Sequence, residues 1–346
     1  MTPPRVTVLM PAYNCKAYLA EAIETILGQS YCDFEFLIID DGSTDGSDTL
    51  LSSYARRDRR IVAVFNKANT GLIGALNRGL ALARGEYVAR MDADDISRST
   101  RLEKQVAFLD SHPNVDVCGC WLQLFGDSDN TVWSYPEDHR TIRCLLLFHS
   151  SMPHATVMFR RSVFFDHHLH YDAGYEHAED YALWVKASEY IRFANIPEVL
   201  YLYRRSGDNV TLTRGQEKMA TMSRIRREQL RRLGIEFGED EFALHELISA
   251  WGFQPSQVFV RGTESWLYKL RAANNISHMY PEPEFSALLG TKWFECCQAA
   301  SKAGAWAWAT FLRSPVSRFL PDARQRAVML GRQYVRSIIG RVLFGS

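Results

Sequence analysis

The sequence lacks a net charge and lacks a long hydrophobic run. Its 346 residues carry 40 basic and 40 acidic side chains, with an isoelectric point near 7.1. A chain with this balance has no overall attraction for a nucleic-acid backbone, so we expect no nucleic-acid partner. Apolar stretches such as residues 145–148 fall far short of the roughly 18 to 20 residues that span a bilayer. We therefore also expect no membrane crossing.

Disulfide and secretion signals are missing as well. The seven cysteines are odd in number and have no C-x-x-C spacing, which argues against a disulfide framework or a zinc site. The N-terminus has no basic segment followed by an apolar one, as a signal peptide would. Both features predict reduced thiols and a cytoplasmic location.

Common phosphate and calcium motifs are absent too. The glycine-rich segment 69–79 (NTGLIGALNRG) matches neither G-x-G-x-x-G nor the Walker A pattern, which argues against a dinucleotide fold or an ATP P-loop. The acidic segment 92–95 (DADD) fails as an EF-hand, because Ile96 and Ser97 stand where a ligand and the invariant glycine belong.

What the sequence has is a regular alternation of strand and helix patterns, with 47% hydrophobic residues to build a core. Short apolar runs predict strands at residues 6–10, 34–39, 61–65 and 87–91. Each is followed by a helix-period segment, at residues 17–27, 47–54, 72–83 and 102–109. This order predicts an α/β fold with a mostly parallel sheet flanked by helices.

The pattern changes further along the chain. We predict an extended segment at 154–159, a helix at 178–188 and an extended segment at 199–203, followed by basic helical segments. The sequence thus predicts an α/β domain over residues 1–212 and a helical, basic C-terminal region over residues 213–346.

Polar motifs follow three of the predicted strands: PAYN at 11–14, DDGS at 40–43 and DADD at 92–95. Ligands of open α/β sheets bind outside the carboxyl ends of the strands, so the three motifs predict one site at that edge. Three packed carboxylates repel unless water solvates them or a divalent ion bridging to phosphates neutralises them. A solvated acidic turn is the alternative for DADD, and a helix-capping turn is the alternative for DDGS.

A second acidic pair, Glu179 and Asp180, stands at the start of the helix predicted at 178–188. Acids in a first helical turn are favoured by the helix dipole alone. The functional alternative is a general base, which is worth about 10²–10⁴ in rate.

In this order, PAYN, DDGSTD (40–45), GEY (85–87), DADD and EDYALW (179–184) resemble the inverting family 2 glycosyltransferases of the GT-A fold. The resemblance covers roughly residues 4–212. It implies a Rossmann-like GT-A domain that uses a nucleotide-diphospho-sugar, with UDP as the expected nucleotide, together with Mg²⁺ or Mn²⁺.

The resemblance also implies roles for single residues. Asp41 would hold the base of the nucleotide, Asp92 would hold the ribose or the metal, and Asp94 would bind the divalent ion. Asp180 would be the catalytic base that takes the acceptor proton. Pro11, Tyr13 and Arg204 complete the expected donor side, and His154 and Glu179 the expected acceptor side. The family usually has a histidine two residues after the arginine, where this chain has Ser206.

The implied acceptor is a glycan or a lipid-linked molecule in bacterial surface-polysaccharide or glycolipid assembly. Residues 313–346 carry seven arginines and one acid, Asp322, with apolar residues at near-helical spacing from Val328 to Leu343. Such a helix can bind the inner membrane face peripherally, or pack on its own domain. Two other functions stay open, a sugar nucleotidyltransferase and a non-catalytic nucleotide-sugar or glycan-binding module. A nucleotidyltransferase generally has a Gly-rich, Arg-containing loop after its first strand, whereas this chain has PAYN.

Overall fold

The computed structural model describes residues 3–126, 130–205, 215–320 and 322–331. The chain divides into two compact units. The first comprises residues up to 142 together with 150–221, and the second comprises residues 143–149 together with those from 222 onward. The predicted boundary at residues 212 and 213 lies outside the described residues and stays a prediction.

The first unit is built on one mixed sheet. Its strand order is β3-β2-β1-β4-β8-β6-β9-β5, with β7 paired to β6. The first four of these strands are parallel, and β8 then runs antiparallel to both β4 and β6. The strands are β1 (Val6–Ala12), β2 (Phe34–Asp40), β3 (Ile61–Phe65), β4 (Tyr87–Arg90), β5 (Ile96–Ser97), β6 (Val117–Gly126), β7 (Val132–Trp133), β8 (Met158–Arg160) and β9 (Phe193–Arg205).

Helices connect the strands and make up most of the chain after β9. They are α1 (Lys16–Leu27), α2 (Ser47–Arg57), α3 (Gly71–Leu82), α4 (Arg101–Ser111), α5 (His139–Leu145), α6 (Arg161–Asp166), α7 (Glu179–Ala187), α8 (Gly215–Arg232), α9 (Glu239–Ser249), α10 (Gln257–Ser277), α11 (Glu284–Ala300) and α12 (Trp306–Arg313). Residues 323–331 are also helical. No helix in the described parts of the chain is long and apolar enough to cross a bilayer.

Buried residues on both faces of the strands explain why helices cover the sheet on both sides. In β1, Val6, Val8 and Met10 belong to a core that includes residues of α1, α2 and α4. Leu9 points to the other face, because side chains alternate along a strand, and it packs on Gly79 of α3. The predicted α/β fold is therefore confirmed.

One predicted extended segment is wrong in its first half. Residues His154–Thr156 form a 3-10 turn before β8 begins at Met158. The cause is local: the Pro153 carbonyl accepts hydrogen bonds from both the backbone N–H and the hydroxyl of Thr156, at 2.9 Å each. The turn places His154 away from the sheet ladder.

The second unit has its own core. Trp266 and Leu267 of α10 pack with Leu289 and Trp293 of α11, all at most 2% exposed. The start of α10 is capped by Ser256, whose side chain accepts the backbone N–H of Phe259. The second unit is thus stabilised by its own buried aromatic side chains and by its own helix cap.

Gly85 provides a direct test of the sheet packing. A Cβ at this position would lie 2.4 Å from the backbone nitrogen of Thr7 and 2.7 Å from the carbonyl oxygen of Tyr87. Because both are backbone atoms, we expect Gly85→Ala to lower the free energy of unfolding by about 2–3 kcal/mol in urea denaturation. Gly215→Ala is the control, since nothing lies within 4 Å of a Cβ there. Equal stability of the two variants would contradict this packing.

Candidate functional site

The parallel strands bring the three predicted motifs to one edge of the sheet. Ala12 at the end of β1 is in register with Asp40 at the end of β2, and the Asp41 N–H donates to the Ala12 carbonyl at 2.8 Å. On the other side of β1, the Met91 N–H donates to the Leu9 carbonyl at 3.0 Å. Segments 11–14, 40–43 and 91–95 therefore emerge side by side.

The first loop is tied to the second by Asn14. Its backbone has a positive φ of 47°, its side-chain oxygen accepts the Thr44 N–H at 2.8 Å, and its own N–H donates to Ser43 Oγ at 2.9 Å. Pro11 lies buried within β1, and Tyr13 is 50% exposed at the edge. Tyr13 is thus placed where a planar ligand could stack on its ring.

Asp41 is buried and anchors the start of α3. Its carboxylate accepts the backbone N–H of Thr70 at 2.9 Å, the Thr70 hydroxyl at 2.8 Å and the side-chain amide of Asn66. Much of its acceptor capacity is used within the protein. The neighbouring Asp40 is also buried, and its Oδ1 has no hydrogen-bond partner among the described residues. Both acids thus stand at the strand end where the base of a nucleotide is expected.

The DADD segment carries more negative charge than its surroundings neutralise. Asp92 forms an ion pair with Arg90, and Asp95 accepts the Arg204 N–H at 2.7 Å. Burial and the charge of Asp92 raise the pKa of Asp94 to about 6. Burial and the charges of Asp92 and Asp94 also raise the pKa of Asp95 well above its usual range. A cation at this segment would relieve the repulsion.

The donor set fits a divalent ion that is shared with phosphates. Among the described residues, no group of three or more His, Cys, Asp or Glu side chains could hold a metal by itself. Mg²⁺ usually keeps several waters and takes one or two carboxylates plus substrate phosphates, rather than an all-protein cage. The half-buried Asp94 could supply such a carboxylate, because the negative charge of Asp92, which helps to raise its pKa, also attracts a cation.

Arg204 is fixed beside the same segment. Its guanidinium lies 4.4 Å from the ring centroids of both Tyr18 and Phe125. Its Nε donates to the Asp94 carbonyl at 2.6 Å, and Nη2 contacts Glu21. The guanidinium is therefore held in place near the acidic segment. Ser206, at the position of the family histidine, lies outside the described residues.

Glu179 and Asp180 begin α7, Glu179 buried and Asp180 half-buried. Burial and the charge of Asp180 raise the pKa of Glu179 to about 7. Burial raises the pKa of Asp180 as well, opposed by the positive charges of Lys218 and Arg90. A carboxylate whose pKa is raised toward the working pH is a stronger general base than an exposed one.

His154 is half-buried in the first unit, beside the buried Tyr171 and Trp184. Its Nε2 is 2.8 Å from the Tyr171 hydroxyl, and its ring lies edge-on to Trp184 at 6.4 Å. Burial, and secondarily the charge of Arg90, lower the pKa of His154 well below its usual range. It is therefore neutral at pH 7 and suited to hydrogen bonding.

Three residues of this region were not predicted from the sequence: Arg90, Tyr171 and Lys218. The sequence contains an indication that Arg90 is functional, because this charged residue stands at the end of an otherwise apolar strand just before the acids. Tyr171 and Lys218 have no such indication, since each reaches the site from a distant part of the chain. Electrostatic interactions connect Arg90 to Asp94, to Tyr171 and to both acids of α7.

The raised pKa of Glu179 predicts a pH-dependent stability. Its ordinary pKa is 4.5, so between about pH 4.5 and 7 the folded state keeps a proton that the unfolded chain has lost. Stability should therefore fall as pH rises through this window, by up to about 3 kcal/mol for one group. Glu179→Gln should remove most of this fall in urea denaturation, and the exposed neighbour change Glu176→Gln should not. An unchanged slope in Glu179→Gln would contradict the assignment.

The chain is similar in sequence to known glycosyltransferases. The family model described as Glycosyl transferase family 2 matches residues 7–167. An uncharacterized glycosyltransferase of Haemophilus influenzae is 33% identical over 247 residues, which cover 67% of this chain and 76% of that protein. A putative teichuronic acid biosynthesis glycosyltransferase of Bacillus subtilis, TuaG, is 40% identical over 106 residues, which cover 31% of this chain and 42% of that protein.

Among solved structures, residues 1–349 of S. aureus TarS in complex with UDP-GlcNAc have a TM-score of 0.58 at 18% identity, over 93% of this chain and 92% of that chain. The same TarS segment in complex with UDP has a TM-score of 0.56 at 19% identity, over 96% of this chain and 91% of that chain. A longer TarS structure is covered over 52% of its length. At this identity the likeness concerns the fold, and it confirms the predicted GT-A fold with a helical C-terminal region.

Proposed function

The chain belongs to the family 2 glycosyltransferases, and on that premise we propose that it moves a sugar from a nucleotide-diphospho-sugar to an acceptor hydroxyl with inversion. The observation that carries the proposal is the presence of two acidic groups that both interact electrostatically with one buried arginine. Asp92 and Asp94 follow β4 at the donor edge, Glu179 and Asp180 begin α7, and Arg90 interacts with both groups. Inverting transfer needs both, one group for the departing diphosphate and one for the attacking hydroxyl.

On the donor side, we assign the nucleotide to the edge formed by Pro11, Tyr13 and Asp41, with Asp92 toward the ribose. Mg²⁺ or Mn²⁺ at Asp94 supplies Lewis-acid neutralisation of the diphosphate when bound. Arg204, fixed beside the Asp94 carbonyl, adds positive charge on the same side. These residues bind and orient the donor so that its anomeric carbon is open to attack.

On the acceptor side, Asp180 is the proposed base. It takes the proton of the acceptor hydroxyl as that oxygen attacks the anomeric carbon and the bond to the diphosphate breaks. Lys218 and Arg90 favour its ionised form, whereas burial keeps it basic. Glu179 beside it and the neutral His154 would shape the acceptor pocket. A single displacement of this kind inverts the anomeric configuration.

The names of similar proteins support a substrate class. The TarS structures hold UDP and UDP-GlcNAc, and TuaG is named for teichuronic acid biosynthesis. We therefore propose a UDP-sugar as donor and a glycan or lipid-linked molecule as acceptor, in bacterial surface-polysaccharide or glycolipid assembly.

A titration of the purified protein with UDP, GDP, CDP and their sugars, in Mn²⁺ and in EDTA, tests the donor. Calorimetry should show Mn²⁺-dependent binding of one nucleotide class. The matching nucleotide-sugar should then be consumed when it is incubated with the protein. Formation of pyrophosphate from a nucleoside triphosphate and a sugar phosphate would instead identify a nucleotidyltransferase. Binding without any donor consumption would identify a non-catalytic module. If no nucleotide binds, both the proposed transferase and a nucleotide-sugar-binding module are contradicted.

We also propose that the C-terminal unit binds the membrane surface at the cytoplasmic face. Four large apolar side chains of α12 and residues 323–331 are exposed, namely Trp308, Leu312, Val328 and Met329. Four arginines accompany them in the described part of this segment, at positions 313, 318, 324 and 326. Exposed apolar groups beside arginines suit an anionic bilayer. The predicted helix beyond residue 331, with Arg332, Arg336 and Arg341, lies outside the described residues.

Vesicle sedimentation tests this surface. Vesicles with about one third anionic lipid should bind the protein, and the double change Trp308→Ala with Leu312→Ala should weaken binding roughly tenfold through lost apolar burial. Val258→Ala is the matched control, because Val258 is an apolar residue of α10 that is 84% exposed. Equal binding by neutral and anionic vesicles, or equal loss in the control, would contradict the proposed surface.

A further inference from the structure

Arg90 is a buried guanidinium with few partners of its own. The residue is 4% exposed at the end of β4, and its side chain forms an ion pair with Asp92. Its Nε has no hydrogen-bond partner among the described residues. Burying a guanidinium is costly unless it is paired and fully hydrogen-bonded. A purely structural role therefore explains this position poorly.

Arg101 shows what a structural arginine looks like in the same core. It is fully buried, its Nε donates to Gln105 at 3.0 Å, and its Nη2 donates to the Arg90 carbonyl at 2.7 Å. Its guanidinium also lies 5.0 Å from the ring centroid of Tyr201. Arg101 is thus satisfied by neutral groups, whereas the Arg90 side chain is paired with a carboxylate, that of Asp92.

A short chain of contacts connects Arg90 to both acidic groups. Its side chain meets Asp92, and its backbone N–H donates to the Val157 carbonyl at 2.9 Å, just after the turn that carries His154. The His154 ring lies against Trp184, one turn along α7 from Asp180. The positive charge of Arg90 also lowers the pKa of both acids of α7.

We propose that Arg90 is a positioning residue for both halves of the site, holding Asp92 on the donor side and supplying positive charge that acts on the Glu179–Asp180 pair on the acceptor side. This inference rests on the proposed function, which identifies the donor and acceptor sides. The effect of Arg90 on the carboxylates can be measured without any substrate. Arg90 orients the carboxylate of Asp92, and its positive charge lowers the pKa of Glu179 and Asp180.

The test measures the titration of the acidic pair without any substrate. The charged groups that act on Glu179 are Asp180 of α7, Arg90 of β4 and Lys218 of α8. Tyr135 and Tyr171, which interact with Asp180, stay neutral because burial raises the pKa of both. Urea unfolding from about pH 4.5 to 9.5, compared between the chain with Glu179 and the chain with Glu179→Gln in each background, isolates the midpoint pH at which Glu179 titrates. The backgrounds are the unmodified chain, Arg90→Met, Arg90→Lys and Arg101→Lys.

We expect Arg90→Met to move this midpoint up by about one pH unit, because an opposite charge nearby typically shifts a carboxyl pKa by that much or more. Arg90→Lys keeps the charge and should restore most of the midpoint, and Arg101→Lys should leave it unchanged. Arg90→Gln replaces Arg90→Met if the latter gives no cooperative transition. An unmoved midpoint on loss of the Arg90 charge, or an equal shift in Arg101→Lys, overturns the proposal.

A binding measurement separates this inference from the proposed function. In the presence of Mn²⁺, Arg90→Met should weaken UDP binding about tenfold through the released Asp92, and Arg90→Lys should recover part of it. If the unmodified chain binds no nucleotide, the proposed function fails, while the pH experiment still decides the role of Arg90. Unchanged UDP affinity in Arg90→Met would overturn the donor half of the proposal.

Discussion

Asp94→Asn should abolish the metal dependence of nucleotide binding. The change keeps the size of the side chain and removes its charge, so a divalent ion shared with the diphosphate loses its protein carboxylate. We expect UDP affinity in Mn²⁺ to fall by about 10²-fold, to the level that EDTA produces in the unmodified protein. Calorimetric titrations of both proteins, with and without the metal, give this comparison directly.

The same change should stabilise the protein in the absence of metal. Burial and Asp92 disfavour the ionised Asp94 carboxylate, so removing its charge relieves repulsion at neutral pH. Asp48→Asn is the control, because Asp48 is an exposed carboxylate on α2. An Asp94→Asn protein that binds UDP with full Mn²⁺ dependence would show that the ion is held elsewhere.

Asp180→Asn should remove transfer while leaving donor binding intact. The general base contributes about 10²–10⁴ in rate, so kcat should fall within that range with UDP affinity unchanged. Because burial raises the pKa of Asp180, the rate of the unmodified enzyme should also decline as pH falls through the titration of the acidic pair. The residual rate of Asp180→Asn should not show this decline at low pH.

Glu176→Gln serves as the matched control, since Glu176 is an exposed carboxylate four residues from Asp180. It should retain normal kcat and the same pH profile. A full-activity Asp180→Asn enzyme would exclude Asp180 as the base. A loss of UDP binding in that variant would instead assign Asp180 to the donor side.

Local patterns were sufficient to predict the first half of the fold. β3 was predicted at residues 61–65 and is found there, because a short apolar run bounded by polar residues has few alternatives. The predicted convergence of the motifs at one edge followed from the geometry of parallel strands alone. Such inferences need no knowledge of distant contacts.

Pairing between distant segments explains what the sequence did not predict. β6 contains two cysteines and two glycines and was not predicted as a strand. Its pairing with β9 stabilises it, and Gly119 is required there because a Cβ would lie 2.2 Å from the side-chain oxygen of Asn195. The contribution of Lys218 near Asp180 likewise depends on tertiary packing, which no local pattern contains.

Early-time proton NMR of donor consumption tests most directly whether the sugar is transferred with inversion. With the UDP-sugar identified by the binding titration, and with acceptor or water as nucleophile, the anomeric coupling constant of the first product gives its configuration before mutarotation. An α-linked donor should yield the β anomer first, and Asp180→Asn should yield neither. The α anomer as first product, or a donor that is bound but never consumed, would contradict inverting transfer by this protein.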